Sequence, residues 1–186
     1  MPFTIISVTG AHSGVGKTTL CALLLQDLKG FGAIKFTKTS LFTSVTDDPG
    51  IISQEGKDTA VMLQAGAERV VWVQSTESGL EDALHIAMGR MDGLNGVVVE
   101  GNTPARLLNP LLVIFVMGSD GQVKPSAKDL PGRADIIVVN SSGRIGGPLP
   151  PGLRPAEATQ TFWIDLAGRQ GEIDKFLAYA KKYTRS

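Results

Sequence analysis

The residues best suited to chemistry are Ala11-His12-Ser13-Gly14-Val15-Gly16-Lys17-Thr18, which have the spacing of a P-loop with Ala in place of its first glycine. Gly14 and Gly16 open backbone geometry closed to other residues and let main-chain N–H groups come close to phosphate oxygens. A helix starting near Lys17 would turn the positive end of its dipole on the same anion. In that arrangement Lys17 neutralises the β- and γ-phosphates, and Thr18 offers its hydroxyl to Mg²⁺. Ser13, Val15 and Thr19 complete the set expected around the nucleotide, and Gly10 stands just before the substituted position. His12 occupies a variable loop position and reads as a solvated or locally bonded imidazole, and Cys21 reads as packing.

A P-loop needs an acidic group on a neighbouring strand to hold Mg²⁺, directly or through water. Glu100 is the best placed, because it closes the apolar run Gly96 to Val99 at the rim where open α/β sheets bind ligands. Asp58 is a second candidate in the first turn of a helix, and Asp47 and Asp48, before Pro-Gly, read as turn formers. Lys35, ending a second strand, and Lys38, in the loop after it, would face an anionic substrate. Asn140 ends a late strand and could read a nucleobase edge. The segment Asn140-Ser141-Ser142-Gly143 lacks the Lys and Asp of the guanine-reading motif, so GTP and ATP both stay open. His85 and Trp72 read as packing.

These residues need a scaffold that alternates strand and helix. Phe3 to Thr9 is a β-branched, apolar run; Lys17 to Lys29 places Leu20, Leu23, Leu24 and Leu28 on one helical stripe that Gly30 stops. Strands are expected at Ala33 to Phe36, Val70 to Val73, Gly96 to Glu100, Leu111 to Met117 and Asp135 to Asn140. Helices are expected at Gly56 to Gly66, Leu80 to Met91 and Glu172 to Tyr183, with Thr37 to Gln54 a long polar loop and Gly143 to Pro155 an irregular connection. The strands VVWV, GVVV, LLVIFVM and IIVV are apolar throughout, as in a sheet covered on both faces. The expected fold is α/β, a three-layer P-loop NTPase-type domain over residues 1–186, its sheet mainly parallel with helices on both faces.

Composition narrows the class. With 42% apolar and 19% charged residues in 186, the chain can build a core and is not disordered. Eighteen basic against 18 acidic residues supply no general field for nucleic acid. The longest apolar run is far short of the roughly 20 residues that span a bilayer, and the N-terminus lacks a basic leader region. A single Cys cannot form an internal disulfide, so a cytoplasmic protein is expected.

Three segments together resemble the MobB family, the molybdopterin-guanine dinucleotide biosynthesis protein B group. They are Thr9 to Leu20, Ala33-Ile34-Lys35, and Gly56-Lys57-Asp58-Thr59 followed by Ala65-Gly66-Ala67; Val99-Glu100-Gly101 matches its strand end as well. After Lys35 the chain has Phe36-Thr37-Lys38 where that family tends to carry histidines. The resemblance implies GTP binding with weak hydrolysis, a cofactor-biosynthesis enzyme as protein partner, and a homodimer. The P-loop, the Val-Glu-Gly strand end and Asn140 are also similar to the dethiobiotin synthetase and cobyrinic acid diamide synthase group. That second resemblance implies ATP-dependent ligase or kinase chemistry on a small carboxylate, with Asn140 reading adenine. With no evident water-positioning Gln or arginine finger, the expected NTPase is slow.

Overall fold

A computed structural model describes residues 3–143, 146–150 and 153–184. The chain opens with β1 (Thr4–Gly10), α1 (Lys17–Asp27) and β2 (Phe31–Lys38), followed by β3 (Ser44–Thr46), α2 (Pro49–Ile52) and α3 (Asp58–Gln64). It continues through β4 (Val70–Ser75), α4 (Leu80–Gly89), β5 (Gly96–Glu100), α5 (Pro104–Leu107) and β6 (Leu112–Gly118). It closes with β7 (Ile136–Asn140), β8 (Gln160–Asp165), β9 (Gln170–Gly171) and α6 (Ile173–Ala180). All strands belong to one sheet in the order β3-β4-β2-β5-β1-β6-β7-β8-β9, parallel throughout except for antiparallel β3 and β9 at its edges.

The unbroken apolar runs have a direct structural cause. Along β5, Val98 enters the core under α1, α3 and α6, whereas Val97 and Val99 enter the opposite core with Leu80, Leu84 and Ala87 of α4. Along β7, Ile136 and Val138 face the first core, and Ile137 and Val139 pack with Ala127, Leu130 and Trp163. Every position is therefore buried on one face or the other, and each such Val or Ile contributes about 1.5–3 kcal/mol. Helix α1 is buried more widely than a stripe, from Leu20 through Leu25, because α3 and α6 cover it as well as the sheet. Lys181 ties the end of α6 to Asp27 at the end of α1, at 2.7 Å.

Several expectations need correction. The stretch Thr37 to Gln54 is not simply loop: Lys38 still belongs to β2, β3 pairs with β4, and α2 forms a short turn capped by Asp48, which accepts from the Gly50 amide. Lys35 is accordingly interior to β2 rather than at its end, and Lys38 ends it. β8 was not anticipated; its polar start, Gln160-Thr161, hides the buried Phe162-Trp163-Ile164. The last helix gives way to a 3₁₀ turn at Lys181–Thr184. His85 is exposed on α4 rather than packed. The described part of Gly143 to Pro155 carries neither helix nor strand, and Arg144, Ile145, Pro151 and Gly152 of that stretch lie outside the described residues. Among the described residues no helix is long and apolar enough to cross a membrane.

Candidate functional site

Parallel strands deliver their C-terminal ends to one rim, and the loop from β1 to α1 crosses that rim at the middle of the sheet. Gly14 and Gly16 both have positive φ, 76° and 105°, and Gly16 caps α1 in left-handed geometry. Successive amides in this conformation form an anion-binding concavity at a helix N-terminus. Ala11, in place of the usual first glycine, is fully buried; its amide donates to the Val116 carbonyl and its carbonyl accepts from the Lys124 amide. The residue that needs to be glycine is Gly10. A Cβ there would lie 2.9 Å from the Lys17 stem, which crosses it on the way to the loop.

Two asparagines hold the loop at its ends. Asn102 grips Gly10 from both sides, donating to its carbonyl at 2.9 Å and accepting from its amide at 2.8 Å. Asn140 donates to the Val15 carbonyl at 3.0 Å and accepts from the Leu166 amide at 3.1 Å. The side chain expected to read a base is thus engaged in bracing the P-loop against the turn after β8. Sequence reasoning passed over Asn102 because one amide after a strand end has no motif; its only signal was its place directly after Glu100-Gly101.

Lys17 directs its ammonium back to the His12 carbonyl at 3.0 Å. Burial pushes its pKa below the ordinary lysine value, with Lys35 and Lys124 adding to that push against the opposing pull of Glu100. Thr18 donates to Glu100 Oε2 at 2.9 Å, and Glu100 is only 2% exposed. The other carboxylate oxygen, Oε1, takes Lys35 Nζ at 2.5 Å, and the same ammonium lies 2.6 Å from Asp58. Burial works against the charge on Lys35, yet Glu100 and Asp58 outweigh it and hold its pKa above the ordinary value. Burial likewise opposes ionisation of Asp58, but Lys35, with Thr18 and Lys17 beside it, holds that carboxyl below the usual range.

The structure therefore brings Ser13 to Thr19, Lys35, Asp58 and Glu100 together at one rim. Lys38 stands apart, paired with Glu77 at 3.1 Å on the surface, and Asp47 is bound by Arg90. No cluster of three or more His, Cys, Asp or Glu side chains suited to a metal occurs among the described residues. The hydroxyl of Thr18 and the carboxylates of Glu100 and Asp58 form a set of hard oxygen donors, which fits Mg²⁺, an ion that keeps several of its waters. Beside the loop a cleft of about 680 Å³ opens between the ends of β2 and β5, lined by Lys17, Lys35, Lys38, Glu100, Arg106 and Lys124 among others.

Replacing Asn102 with Ala should cost about 1–3 kcal/mol, the penalty for leaving hydrogen-bonding groups without partners, because both polar groups of Gly10 lose theirs. Urea unfolding would measure it. An unchanged midpoint would mean that water serves Gly10 equally well.

No protein-family model and no curated protein matches the sequence. Solved structures do match in fold. The chain is similar to an LAO/AO transport system kinase (TM-score 0.54, 17% identity, 98% of this chain and 59% of that one). It is similar also to HypB from Helicobacter pylori in complex with nickel (0.58, 15%, 98% and 87%). A third match is the hydrogenase maturation factor HypB from Archaeoglobus fulgidus (0.61, 13%, 98% and 91%). At these identities the likeness shows a shared fold: the three-layer, P-loop NTPase-type architecture with its largely parallel sheet. The chain spans 59% of the length of the transport system kinase.

Proposed function

We propose that this protein binds a nucleoside triphosphate, GTP or ATP, together with Mg²⁺, and hydrolyses it slowly. The observation that carries the reading is the contact of Thr18 with the buried Glu100, directly beside Lys17 and the amides of a left-handed glycine turn. Thr18, Glu100 and Asp58 would hold the ion, which would supply charge neutralisation on the β- and γ-phosphates. Lys17 and the amides from Ser13 to Thr19 would bind and orient the phosphates, with Asn140 and Asn102 keeping the loop in shape. Slow turnover is supported by Arg106: it lines the cleft, but Asp129 and the Ser126 carbonyl hold its guanidinium. Steady-state turnover of the isolated protein should stay below about 10 s⁻¹, the ordinary enzyme median.

The biological role we propose is that of a cytoplasmic, homodimeric accessory protein in metal-cofactor biosynthesis. Molybdopterin guanine dinucleotide is the cofactor to which the MobB resemblance points. Two matching structures, described as HypB, one a hydrogenase maturation factor and the other in complex with nickel, lend support to a role in assembling metal centres. A second reading, an ATP-dependent ligase or kinase acting on a small carboxylate, is favoured by the open cleft next to Lys35, which has room for another ligand. Strong stimulation of hydrolysis by one small carboxylate would favour this second reading, and stimulation by a protein partner the first.

Calorimetric titration with ATP and GTP, with and without Mg²⁺, tests the primary reading. It should show Mg²⁺-dependent binding, and failure of both nucleotides to bind would end it. The same titration has an expected pH profile. Lys17 must be protonated to meet a polyanion, and its pKa lies below the ordinary lysine value in the free protein. A bound triphosphate pulls that pKa back up. Affinity should therefore hold at neutral pH and decline as pH rises through the depressed pKa, with proton uptake on binding in that window, seen as a dependence of the heat on buffer ionisation.

A further inference from the structure

The position between Glu100, Asp58 and Thr18 already holds a cation, the ammonium of Lys35. It lies 2.5 Å from Glu100 Oε1 and 2.6 Å from Asp58, while Thr18 takes the other oxygen of Glu100. A carboxylate as buried as Glu100 cannot stay ionised without a close positive partner. In the free protein the chain provides that partner from its own second strand.

We propose that Lys35 is an internal counter-cation that occupies the divalent-ion position while the site is empty and is exchanged for the ion that a polyphosphate brings in. The inference rests on the Mg²⁺-dependent reading above. The geometry supports exchange rather than a permanent ion triad on three counts. Lys35 is 15% exposed and borders both the cleft of about 680 Å³ and a smaller one of about 230 Å³ beside Trp72, so its head group has somewhere to go. Its stem is flexible and unbranched, and its backbone is fixed within β2 between β4 and β5, so the ammonium can swing without moving the sheet. Finally, a divalent ion and an ammonium cannot share the two carboxylates at these distances without strong like-charge repulsion.

The consequence is discrimination. The free protein should bind bare divalent ions poorly, because each must evict a tethered cation. An ion delivered with a polyphosphate gains from the loop what it loses to Lys35. The released ammonium would then stand on the cleft side, where an anionic ligand would meet it.

The test is titration of the full chain with Mn²⁺ in the absence of nucleotide, following the free-ion signal by electron paramagnetic resonance. Lys35→Met keeps the length of the stem and removes the charge. It should bind Mn²⁺ at least about tenfold more tightly than the wild type, whereas Lys35→Arg should stay close to wild type. A Lys35→Met protein that binds Mn²⁺ no better than wild type would overturn the proposal. Should Lys35→Met fail to fold, the wild type gives the answer: its Lys35 ammonium resonance should shift on saturation with Mg²⁺ alone. An unchanged resonance with the ion bound would be equally fatal. Nucleotide takes no part in either measurement, so failure of triphosphate binding and failure of cation exchange are told apart.

Discussion

Lys17→Met should weaken Mg²⁺-triphosphate binding roughly ten- to 150-fold, the equivalent of about 1.5–3 kcal/mol for a hydrogen bond to a charged group, and should leave the protein folded. The two halves of this expectation have one cause. The Lys17 ammonium is drawn out of water and has a single neutral partner, the His12 carbonyl, at 3.0 Å. Burial lowers its pKa, so the folded state holds that proton less tightly than the unfolded chain does. A charge in this position costs stability in the free protein and is returned only when an anion arrives. Methionine preserves the stem packed across Gly10 and removes the charge, so the thermal midpoint should stay level or rise as affinity falls. Titration calorimetry and thermal unfolding on the same preparation check both. Affinity within twofold of wild type would remove Lys17, and with it the P-loop reading, from the site.

How far such a site can be read from sequence depends on whether its parts are local. The stretch from Ser13 to Thr19 was legible because the loop, its glycines and its helix are contiguous, and the chemistry dictates the residue at each step. Glu100 was legible because a lone carboxylate closing an unbroken apolar strand has to lie at the sheet rim. The central strands were legible for a similar reason: burial on both faces leaves no polar position to confuse the pattern. Edge elements lack that protection. β3 carries one apolar residue, Val45, within three, and its pairing to β4 depends on contacts more than 25 residues away that no local pattern encodes.

The roles of single polar side chains were least legible, since a side chain's type fixes what it can bond to and only the fold decides which partner is near. Asn140 has the donor and acceptor of a base reader, yet the turn after β8 and the Val15 carbonyl lie within its reach and take both. Asn102 performs the matching task at the other end of the loop. Lys35 looked like a cation awaiting an anionic substrate, but extension of β2 to Lys38 places it inside the strand, opposite Glu100 in the register. The P-loop is a local motif whose shape is enforced by residues about 90 and 125 positions further along the chain.

That dependence makes Gly16 the most sensitive position in the loop. Its φ of 105° lies where any L-residue is strained, at a cost of about 1–3 kcal/mol. A Cβ would also sit 2.7 Å from Leu166 Cδ1 and 2.9 Å from Asn140 Nδ2. Leu166 is buried and Asn140 is held by two hydrogen bonds, so neither can yield without releasing the turn after β8. Gly14 is the internal control: its φ of 76° carries the same backbone strain, but nothing lies within 4 Å of the added carbon. Gly16→Ala should therefore destabilise the protein by about 2–4 kcal/mol, combining strain with the loss of a buried hydrogen bond. Gly14→Ala should cost only the strain, about 1–3 kcal/mol. Urea unfolding of the two variants side by side measures the difference. Gly16→Ala should also abolish triphosphate binding, because the amides it displaces are those aimed at the anion. Equal destabilisation by the two substitutions would show that the brace from Asn140 and Leu166 does not set the shape of the loop.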